Sequence, residues 1–244
     1  MKRNKVPGII LTVCLVILLG GAVYFGVGIY RDAAPLIASE GYYKDLREDV
    51  YIRKEPGQIP IPDLDKLNSL NRDAAAWLLS PGTTIDYPVV QGEDNDYYLH
   101  HLSDGTPNEI GAIFLDYRNN PDFSDEISII YGHHITMGRM FSTLSSYKEQ
   151  RYYDEHPRMM LYVRDKTYEV ELFAGNILSG SEGFPLNFKT GKKKKEWIQD
   201  IIEKSTFSSG IIPKKQDRIL VLCTCSYEFS NARYAVFGRV TEAR

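Results

Sequence analysis

Cysteine is scarce in this chain, which has three cysteines among its 244 residues. A small exported domain held together by disulfides would contain several spaced cysteines. Cys223 and Cys225 are one residue apart, and alternate residues of a strand place their Cα atoms about 6.5 to 7 Å apart, which is a poor distance for a disulfide. The sequence therefore argues against a disulfide scaffold, and chemistry explains this pair of thiols better than structure does.

A large charge excess and the usual cofactor motifs are also missing. The formal net charge is −3, which gives no electrostatic basis for binding nucleic acid. No glycine-rich phosphate loop or internal repeat is present. The histidines at 100–101 and 133–134 are adjacent pairs, whereas zinc sites favour spacings such as i, i+4. We therefore expect no nucleic acid partner, no metal and no cofactor.

Charge is absent from residues 9–30, which are almost entirely apolar. A helix of this length spans the roughly 30 Å hydrocarbon core of a membrane at about 1.5 Å per residue. The cations before the stretch are Lys2, Arg3 and Lys5. After it, Arg31 and Asp32 nearly cancel. By the positive-inside rule, residues 1–8 are cytoplasmic, residues 9–30 form a transmembrane signal anchor and the remaining chain is extracellular.

A cleaved signal peptide is the alternative for this stretch. Its apolar region would be about 7 to 15 residues long, and small residues would precede the cut. The run here is longer, and Tyr24 and Phe25 stand where small residues would be required. We therefore favour an uncleaved anchor and a single-pass protein of the cell membrane.

Two helical segments are predicted after the anchor. Residues 31–62 are interpreted as an extracellular stalk with an N-terminal helix, which prolines from Pro56 onward would end. Residues 63–244 are interpreted as the folded domain. It begins with a predicted helix over Asp63–Leu79, because Leu64, Leu67, Leu70, Ala74 and Leu78 form an apolar stripe.

Short apolar runs separated by turns follow, and they are typical of β-strands. The predicted strands are Ile85–Val90, Gly111–Leu115, Ile127–Tyr131, Met159–Val163, Tyr168–Ile177, Ile219–Cys223 and Tyr234–Val240. Seven or eight strands at this spacing predict a mainly β domain, an antiparallel barrel or sandwich. Lys192–Glu203 has helical spacing and is predicted to be a helix inserted in a strand connection. Its basic run, 192–195, is interpreted as a solvated helix face, with contact to an anionic wall polymer as the alternative.

Three reactive side chains stand at the ends of predicted strands. The run Ile219–Leu222 leads into Cys223 and Cys225, Arg233 opens the next apolar run, and His133 follows the run 127–130. A thiolate is a strong nucleophile, an imidazole transfers protons, and a guanidinium can donate two N–H groups to a developing oxyanion. The pattern favours nucleophilic catalysis over three unrelated structural residues.

These residues resemble the sortase family, and specifically its class B members. Tyr131-Gly132-His133 is similar to the family's catalytic histidine motif, Thr224-Cys225 matches the end of its Leu-x-Thr-Cys signature, and Arg233 in Asn-Ala-Arg falls at its catalytic arginine. Class B is indicated by helices ahead of the barrel, by the inserted helix before the cysteine strand and by Thr-Cys-Ser-Tyr-Glu-Phe. The resemblance covers roughly residues 63–240.

The resemblance implies a sortase-like closed eight-stranded β-barrel preceded by one transmembrane helix, with residues 63–244 as the catalytic domain. It implies a cysteine transpeptidase on the outer face of a Gram-positive-type membrane. Such enzymes cleave the C-terminal sorting signal of a surface protein after Thr and hold the product as a thioacyl-enzyme. They then join it to an amine of the peptidoglycan cross-bridge or of its lipid-linked precursor.

The resemblance also assigns roles to individual residues. Cys225 is the nucleophile and His133 the proton donor and acceptor. Arg233, together with a backbone N–H near Ser226, would hold the oxyanion.

Two further positions are implied to line the substrate groove, Asn95 and Leu99, although Leu99 could equally belong to the core. Cys223 departs from the family, where many relatives carry a small hydroxyl residue, and we interpret it as a pocket-lining thiol.

Other interpretations of the same residues remain open. A cysteine endopeptidase would pass the acyl group to water and would share the acyl-enzyme. A membrane-tethered binding module would carry an inert thiol. A pilin-polymerising sortase is less favoured, because the segment 56–62 lacks an Asp-Pro-aromatic lid signature.

Overall fold

The computed structural model describes residues 6–52, 59–135 and 138–243. The chain forms two compact units, Met1–Tyr42 and Tyr43–Arg244. Helix α1, Val6–Val50, supplies the described residues of the first unit and the first residues of the second. Between Leu11 and Tyr30 its apolar side chains are mostly exposed, and this part of the helix is long and apolar enough to cross a membrane. It coincides with the anchor predicted over residues 9–30.

The last two turns of α1 are part of the second unit. Tyr43 and Val50 are buried there. The Tyr43 hydroxyl donates to the main-chain carbonyl of Gly111 at 3.1 Å, and its ring meets the ring of Tyr87 edge-on at 5.1 Å. The compact unit therefore begins at Tyr43, and the catalytic domain expected over residues 63–244 lies within it. The predicted helix break from Pro56 onward lies partly outside the described residues.

The second unit is built mainly of strands. In chain order they are β1 (Ala74–Leu79), β2 (Asp86–Val90), β3 (Ile113–Leu115), β4 (Ile127–Tyr131), β5 (His134–Ile135), β6 (Arg139–Met140), β7 (Arg158–Val163), β8 (Lys166–Ser179), β9 (Arg218–Cys225) and β10 (Ala232–Glu242). Eight of them close a barrel in the order β1-β2-β3-β4-β9-β10-β8-β7, and β7 pairs back to β1. Strands β5 and β6 form a separate two-stranded sheet.

The barrel confirms the predicted fold, and all seven predicted strands are present. The expectation of purely antiparallel pairing is wrong, because β2 pairs with β3, and β4 with β9, in parallel. Parallel neighbours need long crossover connections. The connection from β4 to β9 contains four further strands and the inserted helix, and periodicity alone does not reveal which distant strands become neighbours.

The predicted helix over Asp63–Leu79 is wrong in its second half. Helix α2 is Leu64–Leu70, and after it Ala74–Leu79 forms strand β1 between β2 and β7. From Ala76 to Leu79 every residue is buried, because neighbours cover both faces of the strand. A short apolar run that is buried on both faces cannot be assigned to helix or strand by periodicity.

The helix predicted between the last two groups of strands is confirmed as α4, Gly191–Glu203. Its apolar side packs Ile198 and Ile201 onto the outer face of the barrel. The basic run at its start is not wholly a solvated face, because Lys194 is 2% exposed and its Nζ donates to the main-chain carbonyl of Asp217 at 2.8 Å. The other short helices are α3 (Gln150–Glu155) and two 3₁₀ helices, Tyr97–Leu99 and Ser142–Lys148.

Candidate active site

The ends of three adjacent strands meet at one edge of the barrel. Strand β9 lies between β4 and β10, and Arg233 of β10 is the register partner of Cys225. On the other side Tyr131, the last residue of β4, is level with Cys223 in a parallel register. The Gly132 N–H donates to the Cys223 carbonyl at 3.1 Å, and His133 is the next residue. Because paired strands are about 4.8 Å apart, this register brings together the strand ends that carry His133, Cys225 and Arg233, with the strand of Cys225 in the middle.

The cluster lies on the outer face of the barrel. Alternate residues of a strand point to the same face, so Cys223 and Cys225 share a face with Ile219 and Val221. Those two side chains belong to the apolar cluster that packs against α4. The inserted helix therefore covers the barrel face that leads to the reactive thiol.

The two cysteines of β9 differ in their surroundings, and both are free thiols. Cys223 is 3% exposed. Burial raises the pKa of the Cys223 thiol to about 12, although the Arg233 charge lowers it in part. Cys225 is only half-buried. Since the thiolate is the nucleophile, Cys223 is poorly suited to attack, which leaves Cys225 as the candidate nucleophile.

The side chain of His133 is oriented by a main-chain carbonyl. Its Nε2 lies 2.8 Å from the carbonyl oxygen of Leu99. A carbonyl can only accept, so Nε2 carries the proton and Nδ1 is left for proton transfer. A carbonyl partner leaves no sequence signature, because every residue has one.

Leu99 thus contributes its backbone to the site. Its side chain is half-buried and packs against the small apolar cluster that includes Tyr98 and Phe114.

Gly111 makes room for the Leu99 carbonyl. Its φ is +64°, and a Cβ there would lie 2.7 Å from the carbonyl oxygens of Tyr98 and Leu99. Any side chain at this position would push those carbonyls away, and with them the partner of His133.

We expect Gly111→Ala to lower both stability and turnover. The left-handed backbone alone costs about 1–2 kcal/mol, and displacing the Leu99 carbonyl adds a loss of turnover. Gly210→Ala is the matched control, because Gly210 has a φ of +69° but open space around its Cβ position. Urea unfolding and transpeptidation kcat would be measured for both. If Gly111→Ala loses no more turnover than Gly210→Ala, the Leu99 carbonyl does not orient His133.

A buried carboxylate supports the side of the site next to β4. The Asp116 side chain is 0% exposed, and the Arg118 guanidinium donates to both of its oxygens, at 2.8 and 2.7 Å. Burial raises the pKa of Asp116, but the hydrogen bonds and charge of Arg118 outweigh it and hold the pKa below the usual value. The Tyr131 hydroxyl also donates to Asp116, at 3.2 Å. Asp116 therefore anchors the residue two positions before His133.

The same carboxylate holds Asn95. The Asn95 side chain hydrogen-bonds Asp116 and accepts from the Tyr117 amide at 3.1 Å. Sequence reasoning did not identify Asp116 or Arg118. The available signal was a carboxylate directly after the buried run Ile113–Leu115, with an arginine two residues later.

The Ser226 main chain is already engaged. Its N–H donates to the carbonyl of Ala232 at 2.9 Å, so this amide does not point at an oxyanion. The Arg233 guanidinium is half-buried beside the thiol, with Nη1 donating to the Ala232 carbonyl at 3.1 Å. Of the two oxyanion donors that the sequence suggested, the structure leaves Arg233.

This barrel and its site define a class of protein. A closed barrel with a thiol, an imidazole and a guanidinium at adjacent strand ends is the arrangement expected of a sortase, and the model of the Sortase domain matches residues 79–241. The chain therefore belongs to the sortase family, whose members are cysteine transpeptidases of the cell wall.

The similar proteins are class B sortases. Sortase B of Listeria monocytogenes is 34% identical over 183 residues, which cover 73% of this chain and 74% of that protein. The structure of Clostridium perfringens sortase B is 31% identical with a TM-score of 0.69, covering 72% of this chain and 98% of the other. A Staphylococcus aureus sortase B–substrate complex is 25% identical with a TM-score of 0.71, covering 75% of this chain and 86% of the other.

Proposed function

We propose that this protein is a membrane-anchored transpeptidase that cleaves the C-terminal sorting signal of surface proteins after Thr. It then joins the surface protein to a cell-wall amine. The observation that supports this proposal is the register of β4, β9 and β10, in which Arg233 is the partner of Cys225 and Tyr131, two residues before His133, is the partner of Cys223.

The first half of the reaction is acyl transfer to the enzyme. The Cys225 thiolate attacks the carbonyl carbon of the substrate Thr, and the carbonyl oxygen becomes an oxyanion next to Arg233. When the intermediate collapses, the C–N bond breaks and Nδ1 of the His133 imidazolium gives its proton to the leaving amine. The products are a thioester on Cys225 and a neutral His133.

The second half regenerates the enzyme. The amine of a peptidoglycan cross-bridge, or of its lipid-linked precursor, attacks the thioester, and neutral His133 accepts its proton. The new amide forms as the Cys225 thiolate leaves. Water in place of the amine would give hydrolysis, which is the cysteine endopeptidase alternative.

Arg233→Lys is expected to lower kcat by about 10²- to 10³-fold, as removal of an oxyanion donor does. Lysine keeps the charge but loses the planar fork of N–H donors. Arg239→Lys is the control on the same strand, because Arg239 instead pairs with Glu171. Steady-state kinetics of both variants would test this, and an equal effect of the two substitutions would remove Arg233 from the site.

The substrate groove is proposed to include Asn95, Leu99, Cys223 and Ser226. Leu99 touches His133 through its carbonyl, and Cys223 precedes the nucleophile on the same face of β9. The sorting peptide would therefore bind along the outer face of the barrel toward Cys225. The S. aureus relative whose structure contains a substrate supports a peptide as the ligand.

The proposed location of the protein is supported by α1. Its exposed apolar part would cross the membrane once, with the N-terminus in the cytoplasm and the barrel outside a Gram-positive-type cell. Enzyme, sorting peptide and lipid-linked acceptor would then share one surface.

The test uses the full chain in detergent micelles and quenched peptides carrying Asn-Pro-x-Thr, Leu-Pro-x-Thr-Gly and related signals. Cleavage followed by amine-dependent ligation would support the transpeptidase and identify its signal. Cleavage that yields only the free acid at every amine concentration would instead support the endopeptidase. No cleavage, with Cys225 unreactive toward thiol reagents, would leave the tethered binding module.

A further inference from the structure

The turn that follows the nucleophile is held by side chains. Residues 226–231 connect β9 to β10, so Cys225 and Arg233 stand at its two ends. Within the turn, Ser226 is 5% exposed, and its hydroxyl donates to the Glu228 carboxylate. The main chain of Ser226 donates to Ala232 at the other end. The conformation of this turn therefore sets how the thiol and the guanidinium face each other.

A lysine from elsewhere in the chain completes the network. Lys148 is the last residue of the 3₁₀ helix Ser142–Lys148, and its Nζ donates to the Ser226 hydroxyl at 3.0 Å and to the Glu228 carboxylate. The same ammonium lies 5.1 Å from the centre of the Tyr234 ring on β10. Lys148 thus contacts both the turn at 226–231 and strand β10.

The Glu228 carboxyl is ionised at neutral pH. Burial raises the pKa of Glu228, but the hydrogen bonds from Lys148 and Ser226 outweigh it and bring the pKa to about 2. The side chains of Lys148 and Glu228 are 26% and 32% exposed, so solvent screens this pair less than an open surface pair.

We propose that Lys148 is a positioning residue for catalysis, which clamps Ser226 and Glu228 so that Cys225 and Arg233 are held in their reactive arrangement. The inference rests on the proposed function of this site. Lys148 touches neither the thiol nor the guanidinium in the contacts described, and it acts through the turn between them. A displacement of about 1 Å at a reacting group can cost about 10²-fold in rate, so a less rigid turn at 226–231 would lower kcat.

The test compares Lys148→Met, which keeps most of the length of the side chain but not its charge, with Lys148→Arg, which keeps a cation with several donors. Lys204→Met is the matched control, because Lys204 forms an ion pair with Asp200 on α4. The full chain in micelles is assayed for kcat, KM, thermal midpoint and the rate of Cys225 alkylation by iodoacetamide.

We expect Lys148→Met to lower kcat by about 10- to 100-fold while KM changes little, and to slow alkylation of Cys225. Lys148→Arg should recover most of the loss, and Lys204→Met should behave as the wild type. The double variant Lys148→Met/Glu228→Gln should be no slower than the worse single variant, because the two residues act through one contact.

Three results would overturn the proposed role of Lys148. The first is that Lys148→Met and Lys204→Met have the same kcat and the same alkylation rate, and the second is that the effects of the two substitutions on kcat multiply in the double variant. The third is a loss of turnover that parallels the loss of folded protein and is not recovered by Lys148→Arg. The alkylation rate needs no substrate. A wild type that alkylates at Cys225 but never ligates a peptide would therefore refute the proposed function alone. If the wild type ligates a peptide and Lys148→Met has unchanged kcat and alkylation rate, the positioning role of Lys148 is refuted and the proposed function is not.

Discussion

Cys225→Ala is expected to abolish cleavage and ligation, with a loss of at least about 10⁴-fold, as removal of a catalytic nucleophile does. The neighbouring substitution Cys223→Ala is expected to cost no more than about tenfold. The reason is the difference in burial, because Cys223 is 3% exposed and burial raises the pKa of its thiol to about 12. At neutral pH that thiol holds its proton and cannot attack.

Trapping of the thioacyl-enzyme provides the measurement. A sorting peptide incubated with each variant should leave an adduct that intact-mass spectrometry detects on wild type and on Cys223→Ala but not on Cys225→Ala. An adduct on Cys225→Ala would mean that Cys223 attacks, and the assignment of the nucleophile would have to be exchanged.

Arg118→Ala is expected to destabilise the barrel by about 3 kcal/mol, the lower end of the range for breaking a buried ion pair. Asp116 would keep its charge at 0% exposure without its guanidinium partner. The lower end of that range applies because the Arg118 side chain is 41% exposed, so solvent partly screens the ion pair. Arg164→Ala is the control, since Arg164 and its partner Asp65 are both well exposed, and it should cost less than about 1 kcal/mol.

The pH dependence of Arg118→Ala should differ from that of the wild type. In the wild type the pKa of Asp116 lies below its usual value of 3.8. The ionised Asp116 therefore contributes to the free energy of unfolding above pH 3.8, and this contribution is lost as pH falls through the lower pKa of the folded state. In Arg118→Ala the burial of Asp116 dominates and raises the pKa of its carboxyl. The cost of burying the unpaired carboxylate therefore shrinks as pH falls through that raised pKa. Urea unfolding should show that the difference in free energy of unfolding between Arg118→Ala and the wild type is smaller at pH 5 than at pH 7. A constant gap would show that Arg118 does not neutralise Asp116.

Much of the candidate site could be predicted from its reactive residues. Cys225, His133 and Arg233 each stand next to an apolar run, and their side-chain chemistry is visible in the sequence. Asp116, Lys148 and the Leu99 carbonyl could not be found in that way. Their partners are distant in the chain, and a main-chain carbonyl or a single lysine has no distinctive sequence pattern.

The sequence by itself determined the apolar helix, the seven predicted strands, the helix α4 and the three reactive residues, because each follows from a local run of apolar or reactive side chains. Only the tertiary structure decided that Ala74–Leu79 is a strand and that β4 and β9 are parallel neighbours. It also decided that Cys223 is buried while Cys225 is only half-buried. Those outcomes depend on which distant strands and helices cover a segment, and burial between elements far apart in the chain is a property of the closed barrel, not of local sequence.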